Sequence, residues 1–404
     1  EQITMERRNI TDSPMEIYVH IPFCIKKCDY CDFLSGPAGK ERQREYFQAL
    51  EREIAAVPDF SDREITTVFI GGGTPSVPDP SLVGEMLDQI RNKFFVAPDA
   101  EITIEANPGT LYKEKLQIYL EHGINRLSLG LQSPQNRELK ILGRIHTWEE
   151  FQESFFMARD AGFSNINIDL MSAIPEQTYA DWEKNLRTVA GLSPEHISAY
   201  SLIIEEGTPF YTFYGGEKPA AGHPPLPDEE TDRLMYSQTK AYLAEAGYGR
   251  YEISNYARPG FSCRHNLSYW KRTDYAGFGL GAASLRQNVR WNNTSDMKEY
   301  LSGSAAEGFA TPVKQAVQTL SAEEQMEEFM FLGLRITEGI SLRRFREAFG
   351  RTVEEVYAGP VEKLTHEGLL ERYSQEKNGV HEEFLKLTDY GIDVSNYALS
   401  EFLF

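Results

Sequence analysis

The sequence predicts an α/β fold, a partial (β/α)6 barrel followed by a smaller helical domain at the C-terminus. Over the first two-thirds of the chain, short β-like runs alternate with helical stretches in the order that builds parallel βα units. Glycine and polar residues follow the ends of these runs, and the pattern becomes helical from about Lys314. The 404 residues are enough for one large domain and one smaller one.

Six strands and the helices between them are predicted from the alternation of apolar runs with amphipathic stretches. The predicted strands are 16–21, 66–70, 101–105, 126–131, 165–170 and 196–201, and the predicted helices are 41–56, 81–93, 113–122, 149–161 and 179–190. We divide the chain into a tail over 1–15, a barrel with its extension over 16–310, and a helical domain over 311–404. A winged-helix shape is one alternative for that last domain.

The later part of the chain is less regular. Proline and glycine residues predict a loop over 215–227, with a helix over 228–246 behind it. The segment 251–284 is dense in aromatic residues, glycine, asparagine and histidine, which ordinary core packing does not require. In the C-terminal domain, a short polar break is expected over 371–379 and an apolar-spaced tail over 384–404.

Composition excludes several classes of function. With 41 basic and 61 acidic side chains, the net charge is −20, which repels the phosphate backbone of nucleic acids. No apolar run approaches the roughly 20 residues of a membrane span. The polar stretch 1–12 does not resemble a secretory signal, and the four cysteines are distributed unlike a disulfide framework. We therefore expect a protein of the reducing cytoplasm.

Three cysteines, Cys24, Cys28 and Cys31, are spaced C-x3-C-x2-C directly after the first strand. Three thiolates on one loop suit a 4Fe-4S cluster whose fourth iron takes a ligand that is not protein. That open iron can chelate the amino and carboxylate groups of S-adenosylmethionine. The alternative is a structural zinc ion, which would recruit His20 or Cys263 as its fourth ligand.

The cysteine spacing, the run Tyr18-Val-His20-Ile-Pro22-Phe23-Cys24 and the run Gly71-Gly72-Gly73-Thr74-Pro75 together resemble the radical SAM superfamily. Within it, the chain is similar to the branch shared by oxygen-independent coproporphyrinogen III oxidases and HemW-type haem chaperones. The resemblance extends from Tyr18 into the C-terminal domain. It implies a 4Fe-4S cluster and bound S-adenosylmethionine as cofactors.

The resemblance also implies which residues bind S-adenosylmethionine. It places these candidates around the cofactor: Tyr18, Phe33, Gly72, Gly73, Thr74, Glu105, Gln132, Arg144 and Asp169. Glycines after a strand let backbone N–H groups approach a ligand, arginine clamps a carboxylate, and carboxylates accept bonds from amines and hydroxyls. Alone, each residue has an ordinary structural alternative, such as a turn, a surface ion pair or a strand-end cap. One departure is Met171-Ser-Ala-Ile-Pro175, where relatives commonly end in Gly-Leu-Pro.

The two branches differ at the cysteine loop. The oxidases carry a fourth cysteine two positions after the third, where this chain has Phe33, and a longer N-terminal stretch before the first strand. His265-Asn266-Leu267-Ser268-Tyr269-Trp270 instead matches the HNxxYW motif of the haem chaperones. We therefore expect a haem chaperone that delivers haem to apoproteins. The alternative is an oxidase that decarboxylates propionate side chains, and whether the chain is an enzyme is left open.

The HNxxYW motif has two interpretations. A histidine can ligate haem iron while tyrosine and tryptophan rings pack on the porphyrin, which makes His265, Asn266, Tyr269 and Trp270 the haem-binding candidates. Alternatively, the histidine and asparagine hydrogen-bond a loop and the two rings fill the core. Nearby Cys263 is interpreted as a buried thiol, with a second haem ligand as its alternative.

Other patterns add little. The run Gly277-Phe-Gly279-Leu-Gly281-Ala282-Ala283-Ser284 echoes a dinucleotide fingerprint, but no βαβ unit opens there, and it is interpreted as a glycine-rich loop near the barrel mouth. No Ser/His/Asp triad is supported, and no catalytic residue is assigned. The expected partners are haem and haem-requiring apoproteins, not nucleic acid. A homodimer and a peripheral encounter with a membrane are compatible with the sequence.

Overall fold

The computed structural model describes residues 14–57, 63–303, 314–377 and 379–404. Most of the predicted tail over 1–15 lies outside the described residues, as does the predicted boundary between 310 and 311. The chain forms two compact units, the first from Glu1–Thr239 and Asp274–Gln318, and the second from Lys240–Thr273 and Thr319–Phe404. The predicted three-part division of the chain stays a prediction.

The strands and helices are numbered in chain order. The strands are β1 Met15–Ile21, β2 Ile65–Gly72, β3 Val96–Ala106, β4 Arg126–Gln132, β5 Ile166–Ser172, β6 His196–Ser201, β7 Gly249–Arg250, β8 Asn255–Ala257, β9 Tyr275–Phe278, β10 Ala283–Arg286, β11 Val289–Asn293, β12 Lys314–Thr319, β13 Ile340–Ser341, β14 Leu370–Lys377 and β15 Val380–Leu387. The helices are α1 Lys40–Ala56, α2 Pro80–Lys93, α3 Lys113–Glu121, α4 Asn136–Ile141, α5 Trp148–Ala161, α6 Tyr179–Gly191, α7 Pro209–Tyr214, α8 Glu229–Glu245, α9 Arg264–Trp270, α10 Met297–Gly303, α11 Ala322–Gly333, α12 Leu342–Phe349, α13 Val353–His366, α14 Asp389–Asp393 and α15 Ser395–Ser400.

All six predicted barrel strands and the five helices between them are confirmed, with ends that shift by a few residues. The longest shift is at β3, which begins at Val96 rather than Glu101. The helices form where the sequence signals them. Helix α5, for example, begins with a capping box between Thr147 and Glu150 and ends at Gly162, whose φ of 115° suits a residue without a Cβ.

Strands β1 to β6 lie side by side in chain order and pair in parallel. Because each βα crossover returns the chain in the same direction, the carboxyl ends of all six strands share one edge of the sheet. The strand interiors are almost entirely buried, as in β4, where all seven residues are buried. That edge is where the polar residues after the strands are brought together.

The sheet also extends on the other side of β1, which the sequence did not predict. Strand β9 pairs in parallel with β1, matching Tyr18 with Gly277, and the sheet continues through β10, β11 and β12. The run from Gly277 to Ser284, predicted as a loop, therefore contains the end of β9 and the start of β10. A Cβ at Gly277 would lie 2.0 Å from the carbonyl oxygen of Ala283, so close backbone packing explains this glycine.

The second unit contains the β7–β8 hairpin, helix α9 and the C-terminal elements. Its strands β13, β15 and β14 form an antiparallel three-stranded sheet beside helices α11 to α13. The predicted polar break over 371–379 is wrong, because most of it is strand β14. From Arg372 onward, the exposed Arg372, Ser374 and Glu376 alternate with the half-buried Tyr373 and Gln375, as in a strand with one exposed face. Three helices followed by a β-hairpin agree with the winged-helix alternative. Among the described residues, no helix is long and apolar enough to cross a membrane.

Candidate functional site

The three clustered cysteines lie on a loop that closes on itself directly after β1. Phe23 and Gly36 form a β-bridge, and the N–H groups of Cys24 and Gly36 donate to the carbonyl oxygens of Gly36 and Pro22 at 3.1 and 3.0 Å. Inside the loop, the N–H of Cys31 donates to the carbonyl oxygen of Cys28 at 3.2 Å. The ends of the loop are therefore pinned together while its middle is held by a tight turn.

All three thiols are free of disulfides, and they differ in exposure. Cys24 is buried, whereas Cys28 and Cys31 are half-buried. Burial raises the pKa of the Cys24 and Cys31 thiols, so both stay protonated at neutral pH until a positive group or a metal is nearby. One positive group is already present, because Arg144 Nη1 donates to Cys28 Sγ at 3.5 Å.

The donor set fits an iron-sulfur cluster better than zinc. Zinc holds its ligands at about 2.0–2.3 Å around one point, and among the described residues no three His, Cys, Asp or Glu side chains are arranged to hold a metal ion. His20 cannot serve as the fourth zinc ligand in this conformation, because its Nδ1 bonds Tyr18 Oη at 3.0 Å and its Nε2 bonds Leu34 O at 2.9 Å. Three separate thiols suit a cubane, which spreads its ligands over different irons.

The glycine run after β2 packs against the cysteine loop. Gly73 N–H donates to Ile21 O at 2.9 Å, and a Cβ at Gly73 would lie 2.7 Å from Phe23 O. Gly72 has a φ of 111°, and a Cβ there would lie 2.6 Å from the imidazole of His20. These glycines are therefore required by close approach and by backbone conformation, as well as by any ligand they contact.

Asn107, at the end of β3, joins two of the predicted cofactor residues. Its Nδ2 donates to Thr74 Oγ1 at 2.8 Å, and its Oδ1 accepts from Arg144 Nη2 at 2.8 Å. Arg144 also donates to Gly130 O at 2.5 Å, while its Nε is buried and bonds no described residue. A small cavity lined by Cys28, Thr74, Asn107 and Arg144 lies here. A cationic side chain with one unused donor beside the cysteine loop can bind an anionic ligand group such as a carboxylate.

Two half-buried carboxyls lie on neighbouring parts of the sheet, Glu105 near the end of β3 and Asp169 in the middle of β5. Burial and the neighbouring carboxylate of Asp169 raise the pKa of Glu105 to about 8, although Gly72 N–H donates to Glu105 Oε2 at 3.1 Å. Burial also raises the pKa of Asp169, whose Oδ1 accepts from Asn167 Nδ2 at 2.7 Å. Because Glu105 and Asp169 are close enough to repel each other, they favour a ligand with a positive charge or with hydroxyl donors. Either kind of group would reduce that repulsion.

Gln132 and Tyr18 have fixed orientations. Gln132 ends β4 with a φ of 71°, and its Oε1 accepts from Tyr200 Oη at 2.9 Å. The ring of Tyr18 stacks on Phe69 with centroids 6.4 Å apart. Phe33 differs from both, because it is 62% exposed. It does not line the small cavity beside Arg144.

Four residues of this region were missed or only weakly signalled in the sequence. Asn107 was indicated by its position after a strand, but its link between Thr74 and Arg144 depends on the fold. His20, Tyr200 and Arg126 were not selected as cofactor residues, although Arg126 is only 2% exposed and its charge opposes the rise in the pKa of Glu105 and Asp169. A buried arginine inside a predicted strand is the signal that could have identified it.

The HNxxYW motif forms helix α9 in the second unit. His265 is only 1% exposed, its Nε2 lies 3.0 Å from Tyr269 Oη, and the two rings are in edge contact with centroids 4.8 Å apart. This contact joins His265 to a residue of its own helix, and it decides between neither the haem-binding nor the structural interpretation of the motif. Trp270 is half-buried and lines a cavity, whereas His265, Asn266 and Tyr269 do not line it. Haem contact by these four residues stays a prediction.

Two family models match the chain. That of the Radical SAM superfamily matches residues 18–189, and that of the HemN C-terminal domain matches residues 320–394. Among solved structures, the chain is similar to coproporphyrinogen III oxidase (HemN) from Escherichia coli. The TM-score is 0.78 with 22% identity, covering 96% of this chain and 90% of that one. At this identity, the likeness shows the fold.

Several curated proteins are more similar in sequence. The heme chaperone HemW of Bacillus subtilis is 38% identical over 355 residues, covering 87% of this chain and 92% of that protein. HemW of Lactococcus lactis is 33% identical over 392 residues, covering 96% of this chain and 97% of that protein. HemW of Escherichia coli is 40% identical over 271 residues, covering 67% of this chain and 69% of that protein. The chain therefore belongs to the HemW family of the radical SAM superfamily.

Proposed function

We propose that this protein is a haem chaperone, which binds haem and delivers it to haem-requiring apoproteins. The observation that carries the proposal is the identity of 33–40% to HemW heme chaperones, which in two of them covers most of both chains. The HNxxYW motif at Trp270 supports it from the sequence. The proposal includes a cytoplasmic location for the protein and haem-requiring apoproteins as its recipients. It also allows for a homodimer.

In this proposal Cys24, Cys28 and Cys31 hold a 4Fe-4S cluster, and S-adenosylmethionine binds beside it. When bound, the cluster supplies an iron with a free coordination position and one-electron chemistry. The protein supplies the surroundings. Arg144 places positive charge at Cys28 and has an unused donor for an anionic group of the ligand, and Asn107 fixes its orientation against Thr74.

Glu105 and Asp169 are suited to bind the amine or the ribose hydroxyls of S-adenosylmethionine. With its pKa raised to about 8, Glu105 is largely protonated in the free protein at neutral pH and can donate a hydrogen bond. Asp169 lies close enough to Glu105 to raise that pKa. A ligand amine or ribose hydroxyl that approaches them would meet one donor and several acceptors.

The oxidase activity is a weaker candidate. The resemblance implies that the oxidases carry a fourth cysteine two positions after the third, and the exposed Phe33 cannot supply a thiolate there. The oxidase structure is 22% identical, which supports the fold and not the reaction. We therefore assign no decarboxylation to this chain.

Anaerobic reconstitution with iron and sulfide, followed by haem titration and a coproporphyrinogen decarboxylation assay on the same sample, tests the proposal. Stoichiometric haem binding without decarboxylation is the expected result. Transfer of the bound haem to an apoprotein, followed by the Soret band, would complete the test. Turnover to protoporphyrinogen without stable haem binding would overturn the proposal in favour of the oxidase.

The role of His265 is tested by His265→Ala, with His366→Ala as a control on an exposed histidine of the same unit. The variant deletes a buried ring and its hydrogen bond to Tyr269, so we expect some loss of stability whichever role His265 has. Haem affinity separates the two roles. It falls if His265 contacts haem, and it is retained if His265 only supports Tyr269.

A further inference from the structure

The second unit contains a cavity of about 390 Å³ whose lining residues all belong to that unit. The end of α9, the helices α11 and α12, and the strands β13 and β15 contribute its walls. This volume lies within the range of about 300–1,000 Å³ that small-molecule sites have in proteins. The cavity is open to solvent on one side and is large enough to take up a substantial part of a planar ligand.

The apolar part of the wall is formed by aromatic and branched side chains. Trp270, Phe329 and Phe384 contribute three rings, and Ile336 and Ile340 contribute aliphatic surface. Flat rings around a cavity favour a flat aromatic ligand, because stacked contact adds to the burial of apolar area.

The charged part of the wall leaves one cation free. Arg272 is paired with Glu328 at 2.8 Å, and Arg343 is paired with Glu382 at 3.3 Å. The guanidinium of Arg344 forms no hydrogen bond or ion pair with any described residue, although it lines the same cavity. In a chain with a net charge of −20, an unpaired arginine at a cavity wall is a specific place for a carboxylate.

Two further carboxylates line the cavity, and both have partners. Glu382 accepts from Ser341 Oγ and from Arg343, and Glu338 accepts from Gln375 Nε2 at 3.0 Å. Lys271 also lines the wall. The carboxylates do not exclude an anion, because cations are the majority here and the bonds from Ser341, Arg343 and Gln375 offset part of the negative charge.

Trp270 carries a second unused polar group. Its indole Nε1 is buried and bonds no described residue, and the guanidinium of Arg335 lies 5.2 Å from its ring centroid. A buried N–H without an acceptor costs about 1–3 kcal/mol relative to one that is bonded. A ligand that offers an acceptor to the indole N–H of Trp270 would therefore gain this free energy on binding.

We propose that this cavity is the haem site of the protein, with the porphyrin packed against Trp270 and Phe384 and a propionate carboxylate bound by Arg344. Haem is a flat aromatic ligand with two carboxylates, which the rings and the free cation together match. The inference rests on the proposed chaperone function and deepens it. It keeps Trp270 from the motif on α9 and adds Phe384 and Arg344, which lie outside that motif. The porphyrin contact comes from Trp270, while His265 stays in its bond to Tyr269.

The test is haem titration of Arg344→Glu, followed by the Soret band, with Arg346→Glu as the matched control. Arg344 and Arg346 are both exposed on α12, and only Arg344 lines the cavity. The two substitutions change the net charge equally. Loss of one charge-assisted bond predicts about tenfold weaker haem binding for Arg344→Glu. The control should bind haem as the wild-type protein does.

Haem dimethyl ester identifies the group that Arg344 binds. It has no propionate charge, so the wild-type protein and Arg344→Glu should bind it with the same affinity. A variant that is weakened equally for haem and for its ester would contradict the carboxylate contact. Trp270→Phe is the second variant. It keeps a ring and removes the indole N–H, and we expect weaker haem binding with no loss of thermal stability.

The outcomes separate the two proposals. If the wild-type protein binds haem and Arg344→Glu binds it equally well, the cavity is not the haem site while the chaperone function stands. If the reconstituted wild-type protein binds no haem, the chaperone proposal fails and the cavity assignment fails with it.

Discussion

The cysteine-loop site of the first unit and the cavity of the second unit differ in how many of their polar groups the protein itself satisfies. At the cysteine loop, Asn107 connects Thr74 to Arg144, and Arg144 in turn reaches Cys28. One donor of Arg144, its Nε, bonds no described residue. In the cavity, the whole guanidinium of Arg344 and the indole N–H of Trp270 bond no described residue, although the neighbouring Arg272 and Arg343 are paired. The cavity therefore presents more unsatisfied donors than the cysteine-loop site does.

The difference indicates what each site is suited to bind. A site whose side chains are already oriented by internal hydrogen bonds loses little conformational entropy when a permanent cofactor binds. A cavity with unused donors gains its hydrogen bonds only from the ligand, so its affinity depends on a few groups that a recipient can compete for. That arrangement suits cargo that must be released.

The largest effect is expected at the cysteine loop. Cys28→Ala removes one of three thiolates and the acceptor of Arg144, and we expect the iron and sulfide content of the reconstituted protein to fall to background. Cys263→Ala, in the other unit, should assemble the cluster normally. An intact iron-sulfur absorbance in Cys28→Ala would contradict the assignment of Cys28 as a cluster ligand. The comparison of a cofactor site with a cargo cavity would then fail.

Stability of the first unit should depend on pH through Glu53. This carboxyl is buried in α1, where Gly279 N–H and Asn293 Nδ2 donate to it, and burial raises its pKa from 4.5 to about 7. The folded protein therefore binds the proton more tightly than the unfolded chain. This contribution is fully present below pH 4.5 and is lost as the pH rises to about 7.

The matched variant for this prediction is Glu53→Gln, which resembles the protonated carboxyl at every pH. Relative to it, the wild-type protein should lose about 3 kcal/mol of unfolding free energy between the two ends of that pH range. Denaturant unfolding at pH 5 and pH 8 measures the difference. Parallel pH profiles for the two proteins would show that Glu53 titrates normally.

A smaller effect is expected when a methyl group is added between β2 and the cysteine loop. In Gly73→Ala, the new Cβ would lie 2.7 Å from Phe23 O and 3.0 Å from Ser35 Cβ, so the loop must move. We expect about 1–3 kcal/mol lower stability and weaker S-adenosylmethionine binding, measured by thermal unfolding and calorimetry. Gly39→Ala is the control, because a Cβ there would meet nothing within 4 Å.

The smallest effect on stability is expected in the cavity. Arg344→Ala removes no hydrogen bond or ion pair within the described structure, and we expect the unfolding free energy to change by less than about 0.5 kcal/mol. Chemical denaturation of the variant without haem measures this. A large loss of stability would mean that Arg344 has a structural role, and the contrast between the two sites would disappear.

Much of the barrel could be predicted because its signals are local. The alternation of apolar strands and amphipathic helices recurs six times, and each strand end is marked by glycine or a polar residue such as Asn107 or Gln132. Strands β9 and β10 could not be predicted in the same way. Each is only four residues long. Strand β9 lies beside β1 through pairing across some 260 residues of chain, and β10 in turn pairs with β9.

The C-terminal domain shows the same limit. The stretch from Leu370 to Lys377 contains charged residues throughout and was interpreted as a break, but it pairs with Val380–Leu387 as one strand of a hairpin. Antiparallel pairing needs backbone groups rather than apolar side chains, so a strand with one exposed face is weakly marked in the sequence. The helices before it, whose capping residues are local, were easier to recognise.

The sequence by itself determined the family, the positions of the six barrel strands and the three cysteines of the candidate cluster, because spacing and periodicity are properties of neighbouring residues. Tertiary structure alone decided which side chains meet. It brought Asn107 to Arg144, paired Arg272 with Glu328 and left Arg344 free, and it buried His265 while Trp270 lines a cavity. These contacts join residues far apart in the chain, and their burial and charge depend on packing that no local pattern encodes.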